Sequence, residues 1–261
     1  MVKLTIDGRV TEAKEGEMLL TVIKRMGIDV PALCHHDAVE PYGACRLCMV
    51  EITRKEWDGW VKHVTSCLYP VEEDLIVRTH TETVDELRRQ VLDLQLASCP
   101  HSREIRKLAA DYGVTQTSYE TIPDGDNCIL CAICTRICDA LGFHAISMVD
   151  RGHGREVAPP LRQAPPDCIG CLSCAENCPT NFIDYEDKGD TRTIWGKQFK
   201  RIKCEQCGKL TITEAFADAL SKMRDIPREY FNVCDECHRK EISLRMGSIV
   251  KWNRSDEEVA S

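Results

Sequence analysis

The sequence predicts an α+β chain of several small modules. Three observations predict it: period-two apolar alternation near the start, amphipathic helical repeats from residue 81, and 17 cysteines gathered mostly into C-x-x-C runs. At 261 residues there is room for two or three compact domains, and an apolar fraction of 43% is ordinary for a globular protein. The net charge of -8 argues against nucleic acid as the main ligand, because neutralising phosphates takes a basic surface. The longest apolar stretches, such as Met18 to Ile23, fall far short of the roughly 20 residues a membrane span requires. An odd cysteine count and no apolar leader point away from disulfides and toward metal ligation in a reducing cytoplasm.

Residues 1–80 read as a first domain. Val2, Leu4 and Ile6 alternate, Asp7-Gly8 turns the chain and Val10 resumes it, which is a β-hairpin pattern. Leu19, Leu20, Ile23 and Met26 then share one helical face, Gly27 ends the helix, and Pro31 stiffens the approach to Cys34. Met49 to Ile52 and Leu75 to Val77 complete a small mixed sheet around that helix.

Residues 81–120 read as a helical linker. Thr83 and Glu86 suit a capping box, and Val84, Leu87, Val91 and Leu94 line one face. A second helix over Ser102 to Tyr112 closes at Gly113. Residues 121–190 hold an internal cysteine repeat after a polar stretch from Thr115 to Asn127. Within it a hairpin is expected over Ile146 to Val157, turning at Arg151 to Gly154, with Pro159, Pro160, Pro165 and Pro166 marking an irregular return. Residues 191–261 carry two more C-x-x-C pairs flanking a helix, then a charged tail expected to fray beyond Trp252.

Cys128, Cys131, Cys134 and Cys138 follow C-x2-C-x2-C-x3-C, and Cys168, Cys171, Cys174 and Cys178 repeat it. That is the bacterial two-cluster ferredoxin spacing, in which the fourth cysteine of each run serves the other cluster. One 4Fe-4S cluster is therefore assigned to Cys128, Cys131, Cys134 and Cys178, and a second to Cys168, Cys171, Cys174 and Cys138. Asp139 follows Cys138 where Pro179 follows Cys178, which places a charge near the second cluster.

Cys34, Cys45, Cys48 and Cys67 make a looser set: a lone cysteine, a C-x-x-C pair and a distant fourth. A plant-type 2Fe-2S site uses that order with a shorter first gap, while zinc uses C-x-x-C pairs equally well. Gly43 and Ala44 keep the loop small enough for backbone N–H groups to approach sulfides. His35 and His36 do not make a Rieske pattern, which needs Cys and His paired on each side. Cys204, Cys207, Cys234 and Cys237 form C-x2-C-x26-C-x2-C, close to a zinc ribbon. Zinc is favoured there and a further 4Fe-4S cluster is the competitor; Lys203, Lys209, His238, Arg239 and Lys240 supply positive charge that stabilises thiolates. Cys99 is left over as a buried thiol between helices.

The order of these motifs, with "CILCAICTRICD" from Cys128 and "CIGCLSCAENCPT" from Cys168, resembles the N-terminal part of the large peripheral iron-sulfur subunit of respiratory complex I. It is also similar to the electron-transfer subunits of NAD-reducing nickel-iron hydrogenases and of electron-bifurcating iron hydrogenases. The resemblance spans roughly residues 1 to 190. It implies a β-grasp, ferredoxin-like 2Fe-2S domain, a two-cluster 4Fe-4S ferredoxin domain and a cytoplasmic electron-relay role. The expected partners are a flavin-containing NAD(P)H-binding subunit and a further redox subunit carrying the terminal reaction, of hydrogenase, formate dehydrogenase or transhydrogenase type.

Two departures accompany the resemblance. The family usually has a third motif of one histidine and three cysteines, but "LASCPHSREIRKLAADYG" puts Cys99 where that histidine belongs and lacks the three cysteines. The path from the 2Fe-2S centre must then run differently or be bridged by a partner's cluster. The family's catalytic part is replaced from about residue 195 by the ribbon-like module, and no G-x-G-x-x-G or phosphate-binding lysine loop compensates. Gly152 and Gly154 in "DRGHGREV" read as a turn. The chain is thus expected to transfer electrons without catalysis of its own. The rival readings are a free polyferredoxin carrier and a cluster-based sensor that binds nucleic acid through Lys197, Lys200, Arg201 and Lys203.

Overall fold

The computed structural model describes residues 1–121 and 127–258, with side chains described to residue 247. The chain divides into two compact units, Met1–Arg162 with Ser173–Asp184, and Gln163–Leu172 with Tyr185–Ser261.

The first unit opens with β1 (Val2–Ile6) and β2 (Arg9–Ala13), joined by Asp7 at φ 48° and Gly8 at φ 78°. Both positions need the left-handed backbone that a two-residue hairpin turn imposes. Next, α1 (Leu19–Arg25) buries Leu19, Leu20, Val22 and Ile23. Strands β3 (Met49–Thr53), β4 (Lys62–Thr65) and β5 (Leu75–Arg78) complete a sheet of order β2-β1-β5-β3-β4. The β1–β5 pair is parallel and the other pairs are antiparallel. Alternate residues Leu4, Ile6, Val50, Ile52, Leu75 and Val77 pack with the buried face of α1, and Cys48 and Cys67 belong to that same core. Sequence patterning missed β4 because its Lys-His-Val-Thr run offers a single apolar residue.

The helices follow with one correction. In α2 (Glu82–Ser98) the capping residue is Thr81, whose Oγ1 accepts from Val84 N at 3.2 Å, and not Thr83. Glu86 instead accepts from Arg89 and Gln90. The buried stripe is Val84, Arg88, Leu92 and Leu96, whereas Leu94 is 51% exposed. Counting only apolar residues rotated the expected face away from Arg88. In α3 (Arg103–Asp111) Ser102 caps as the pattern suggests, accepting from Ile105 N. Then come α4 (Ile133–Ala140), the hairpin of β6 (Ser147–Val149) and β7 (Glu156–Ala158), and α5 (Ser173–Glu176). The hairpin turns through Gly152–Gly154, as the glycines lead one to expect.

The second unit is an antiparallel meander of β8 (Tyr185–Lys188), β9 (Thr191–Ile194), β10 (Lys197–Lys203) and β11 (Leu210–Thr213), in the order β11-β10-β9-β8. It continues into α6 (Glu214–Arg224), capped by Thr213, and α7 (Asp235–Glu258). The helix runs past Trp252, where fraying is expected, and residues 259–261 lie outside the described residues, as do 122–126 of the polar stretch. Among the described residues, no helix is long and apolar enough to cross a membrane.

Candidate metal and cluster sites

Cys34 lies in the loop after α1, Cys45 and Cys48 precede β3, and Cys67 follows β4. All four are buried, with exposures of 1%, 4%, 0% and 1% in that order. Their sulfurs meet: Cys45 N donates to Cys34 Sγ at 3.4 Å, and hydrogen bonds from the Cys45 and Cys67 thiols hold the Cys34 thiol down at about 2. The Cys67 thiol likewise holds Cys48 at about 6, while the bonds that Cys45 and Cys67 give to Cys34 push both of them upward. Four sulfurs sharing protons in a buried site become four thiolates only around a cationic centre, so the donor set fits an iron-sulfur core. Gly43 adopts φ 71°, a left-handed backbone that strains any residue with a side chain, and a Cβ there would lie 2.3 Å from Leu68 Cδ1 and displace it.

Two arginines that the sequence reading did not single out hold this loop. Arg88 is fully buried and donates to Leu47 O at 3.1 Å, Met49 O at 2.8 Å and Thr79 O at 2.9 Å, with Asp85 as counter-ion. Arg136 donates to Cys34 O at 2.8 Å, to Glu40 O, and to Cys131 O at 3.3 Å. Its guanidinium also lies 5.2 Å from the centre of the Tyr42 ring. One side chain thus joins the first cysteine loop to the first C-x2-C-x2-C run. Cys34, Cys45 and Cys131 share one apolar cluster with Leu92, Leu96, Ile105 and Ile133, and Cys99 is buried in it. The available signals were the fourfold step that places Arg88 on the α2 stripe and the position of Arg136 inside a cysteine motif.

The internal repeat extends to the backbone. Leu130 and Ala132 take φ 52° and 57°, and the matching residues of the second run, Gly170 and Leu172, take φ 67° and 66°. Alternating left- and right-handed residues turn successive N–H groups to one side, the arrangement that cradles anionic sulfur. Direct cases are Phe182 N to Cys178 Sγ and Ala145 N to Cys138 Sγ, both 3.3 Å. Burial, then the charges of Cys131, Cys174 and Cys128, push the Cys134 thiol upward. Burial does the same to Cys131, with added repulsion from Cys178 and Cys34. Cys128, Cys131, Cys134 and Cys178 all lie in the first unit; Cys138 and Cys174 also lie there, while Cys168 and Cys171 are in the second.

In the second unit, Cys204 and Cys207 form the turn between β10 and β11, and Cys234 and Cys237 open α7. Their sulfurs lie within 4.8 Å of one another, a closeness unique to this group among the described residues. The Cys207–Cys234 sulfur distance is 3.7 Å. A tetrahedral ion with bonds of roughly 2.3 Å to sulfur separates its ligands by roughly 3.8 Å, so the site fits one ion. A cubane would hold its cysteines wider apart. Amide N–H groups of Cys207 and Cys234 hold the Cys204 thiol at about 6, and hydrogen bonding to Cys234 pushes Cys237 up to about 12. Of the basic run, Lys200 pairs with Glu214 at 3.3 Å and Arg201 with Asp187 at 3.1 Å, while Lys197 binds backbone carbonyls. Those cations are engaged within the chain.

Comparison with known proteins agrees with the resemblance carried by the motifs. Residues 1–82 match the family model described as a 2Fe-2S iron-sulfur cluster binding domain. The chain is 29% identical over 218 residues to the NADP-reducing hydrogenase subunit HndD of Solidesulfovibrio fructosivorans, covering 71% of this chain and 36% of that protein. It is 27% identical over 234 residues to an NADH-quinone oxidoreductase subunit of Rhizobium meliloti, covering 80% and 27%. Against the NADPH-Fe(3+) oxidoreductase subunit alpha of Geobacter sulfurreducens the identity is 30% over 208 residues, covering 70% and 24%. The chain therefore spans about a quarter to a third of the length of these relatives. A chain of an NAD+-reducing NiFe-hydrogenase, solved in the H2-reduced state, superposes with a TM-score of 0.53 at 25% identity, over 60% of this chain and 74% of that one.

Proposed function

We propose that this chain is the electron-relay subunit of a cytoplasmic, NAD(P)H-linked oxidoreductase complex. It passes single electrons between a flavin-containing NAD(P)H-binding subunit and a redox subunit that carries the terminal reaction of a hydrogenase, formate dehydrogenase or transhydrogenase. The relatives named above, all parts of pyridine-nucleotide-linked or hydrogen-linked enzymes, support the assignment. The observation that carries it is the junction at Arg136, where the loop of Cys34 meets the run containing Cys131. With those loops packed together, an electron needs no partner cluster to pass from one to the other.

In this assignment residues 1–80 hold a 2Fe-2S cluster on Cys34, Cys45, Cys48 and Cys67, and residues 81–120 brace it. Residues 121–190 hold one 4Fe-4S cluster on Cys128, Cys131, Cys134 and Cys178. The spacing supports a second on Cys168, Cys171, Cys174 and Cys138. Residues 191–261 hold zinc on Cys204, Cys207, Cys234 and Cys237, for which the close approach of the sulfurs speaks. The clusters, when bound, supply one-electron redox chemistry. The protein's own groups set potentials and spacing: amides directed at sulfur, cations on the loop carbonyls, and apolar packing that excludes water. No other residue is asked to react.

Anaerobic isolation tests the assignment. The chain is expected to carry about ten irons in three clusters if all sites fill, to give one 2Fe-2S and two 4Fe-4S EPR signals, and to co-purify with a flavoprotein. Alone and flavin-free, it should not oxidise NADH. Appreciable NADH turnover by the isolated chain, or a chain that always purifies without partners, would defeat the proposal.

A further inference from the structure

The C-terminal module lies beyond the stretch that the motif resemblance covers, yet its unit contains the loop Gln163–Leu172 that bears Cys168 and Cys171. Three side chains of the sheet grip that loop by its carbonyl groups. Lys197 Nζ donates to Pro166 O at 2.5 Å and to Cys168 O at 2.8 Å. Thr213 Oγ1 donates to Ile169 O at 2.5 Å. Arg192 donates to Gly170 O at 3.2 Å while its other edge is fixed on both carboxylate oxygens of Asp187, at 2.7 and 2.8 Å. Gly170 completes the grip by close approach: a Cβ there would lie 2.8 Å from the Phe199 ring, at a φ of 67°. The carbonyls of Pro166, Cys168, Ile169 and Gly170 are thereby fixed by residues of β9, β10 and β11.

The same hairpin carries the four-cysteine site. Lys197 and Phe199 stand in the first half of β10, which ends one residue before Cys204; Thr213 is the last residue of β11, which starts shortly after Cys207. The tip of the β10–β11 hairpin is therefore the ion site and its base is the grip. At about 3.3 Å per residue, the seven residues of β10 span roughly 20 Å between the two. An ion at the tip ties the hairpin to the start of α7 and so holds the strands that present Lys197 and Thr213.

We propose that the C-terminal module is an ion-locked brace for the loop of Cys168 and Cys171, with Lys197 as the positioning cation that sets the potential of the second 4Fe-4S cluster. This rests on the relay assignment above. A cluster with four thiolates gains one negative charge when it accepts an electron from its neighbour, which is oxidised in turn. An ammonium on the Cys168 carbonyl therefore favours the reduced form, and the backbone geometry it fixes keeps the amides aimed at sulfur.

The test is an EPR-monitored redox titration, with dithionite, of the full-length chain reconstituted anaerobically with iron, sulfide and zinc. Lys197→Met is expected to make one of the two 4Fe-4S signals about tenfold less reduced at a fixed potential, while the other 4Fe-4S and the 2Fe-2S signals titrate as in the wild type. Lys197→Arg should restore it. Gly170→Ala, which leaves the charge in place, should distort the same signal through Phe199. Withdrawing the ion from the Cys204 quartet with a zinc chelator should perturb that signal alone. A Lys197→Met titration that overlays the wild type, or an equal shift of all three signals, overturns the brace. Fewer than two 4Fe-4S signals in the wild type overturns the relay assignment, and the brace with it.

Discussion

The Cys34 quartet and the Cys204 quartet use the same ligand atoms in opposite settings. The first is embedded: its four cysteines come from two loops, the α1–β3 connection and the turn after β4, none is more than 4% exposed, and two of them belong to the core that packs β1, β3 and β5 on α1. The second sits on a hairpin tip and a helix start, with Cys207 exposed and little beyond Val233 packed around the three buried cysteines. Where apolar surface already closes the domain, the metal centre is a guest whose properties the fold tunes. Where, among the described residues, the cluster at the site is three thiols and a valine, an ion bound there would be what closes it.

The contrast can be broken most forcefully by removing the ion from the Cys204 quartet. Structural zinc contributes on the order of 10–16 kcal/mol in small modules, so chelation is expected to open the hairpin to protease between Cys204 and Cys237. The 2Fe-2S absorption should persist. Simultaneous loss of both would mean that the two sites are not independent as described. A second test replaces the buried cation behind the first site. Arg88→Met strands the carbonyls of Leu47, Met49 and Thr79. Leaving a buried acceptor unpaired costs about 1–3 kcal/mol, read as a lower midpoint in denaturant unfolding of the first unit. The smallest effect falls on the corrected helix face: Leu94→Ser should change stability by no more than about 0.5 kcal/mol, because Leu94 points outward. A loss of several times that would restore the apolar-only reading of α2.

Much of the fold near the sites was legible because it is local. The Asp7-Gly8 turn, the alternation of β1 and the glycine-bounded hairpin of β6 and β7 follow from spacing over a few residues. Strand β4 was not, since one valine among polar neighbours gives no period and its place comes from pairing with β3. Arg88 was invisible for a related reason. In sequence an arginine reads as surface, and only the convergence of three backbone carbonyls makes a buried guanidinium favourable.

The sequence by itself determined the candidate ligand sets. Cysteines two or three residues apart can reach one centre from a single turn, whatever the rest of the chain does, and the two identical runs carry left-handed residues at matching positions. Tertiary structure alone decided which cations stand behind those turns. Arg136 reaches Cys34 across 102 positions and Lys197 reaches Cys168 across 29. Such contacts have no local signature, because they are set by packing: loops whose amides face sulfur turn their carbonyls outward, and those carbonyls are satisfied by whatever donor the fold brings to them.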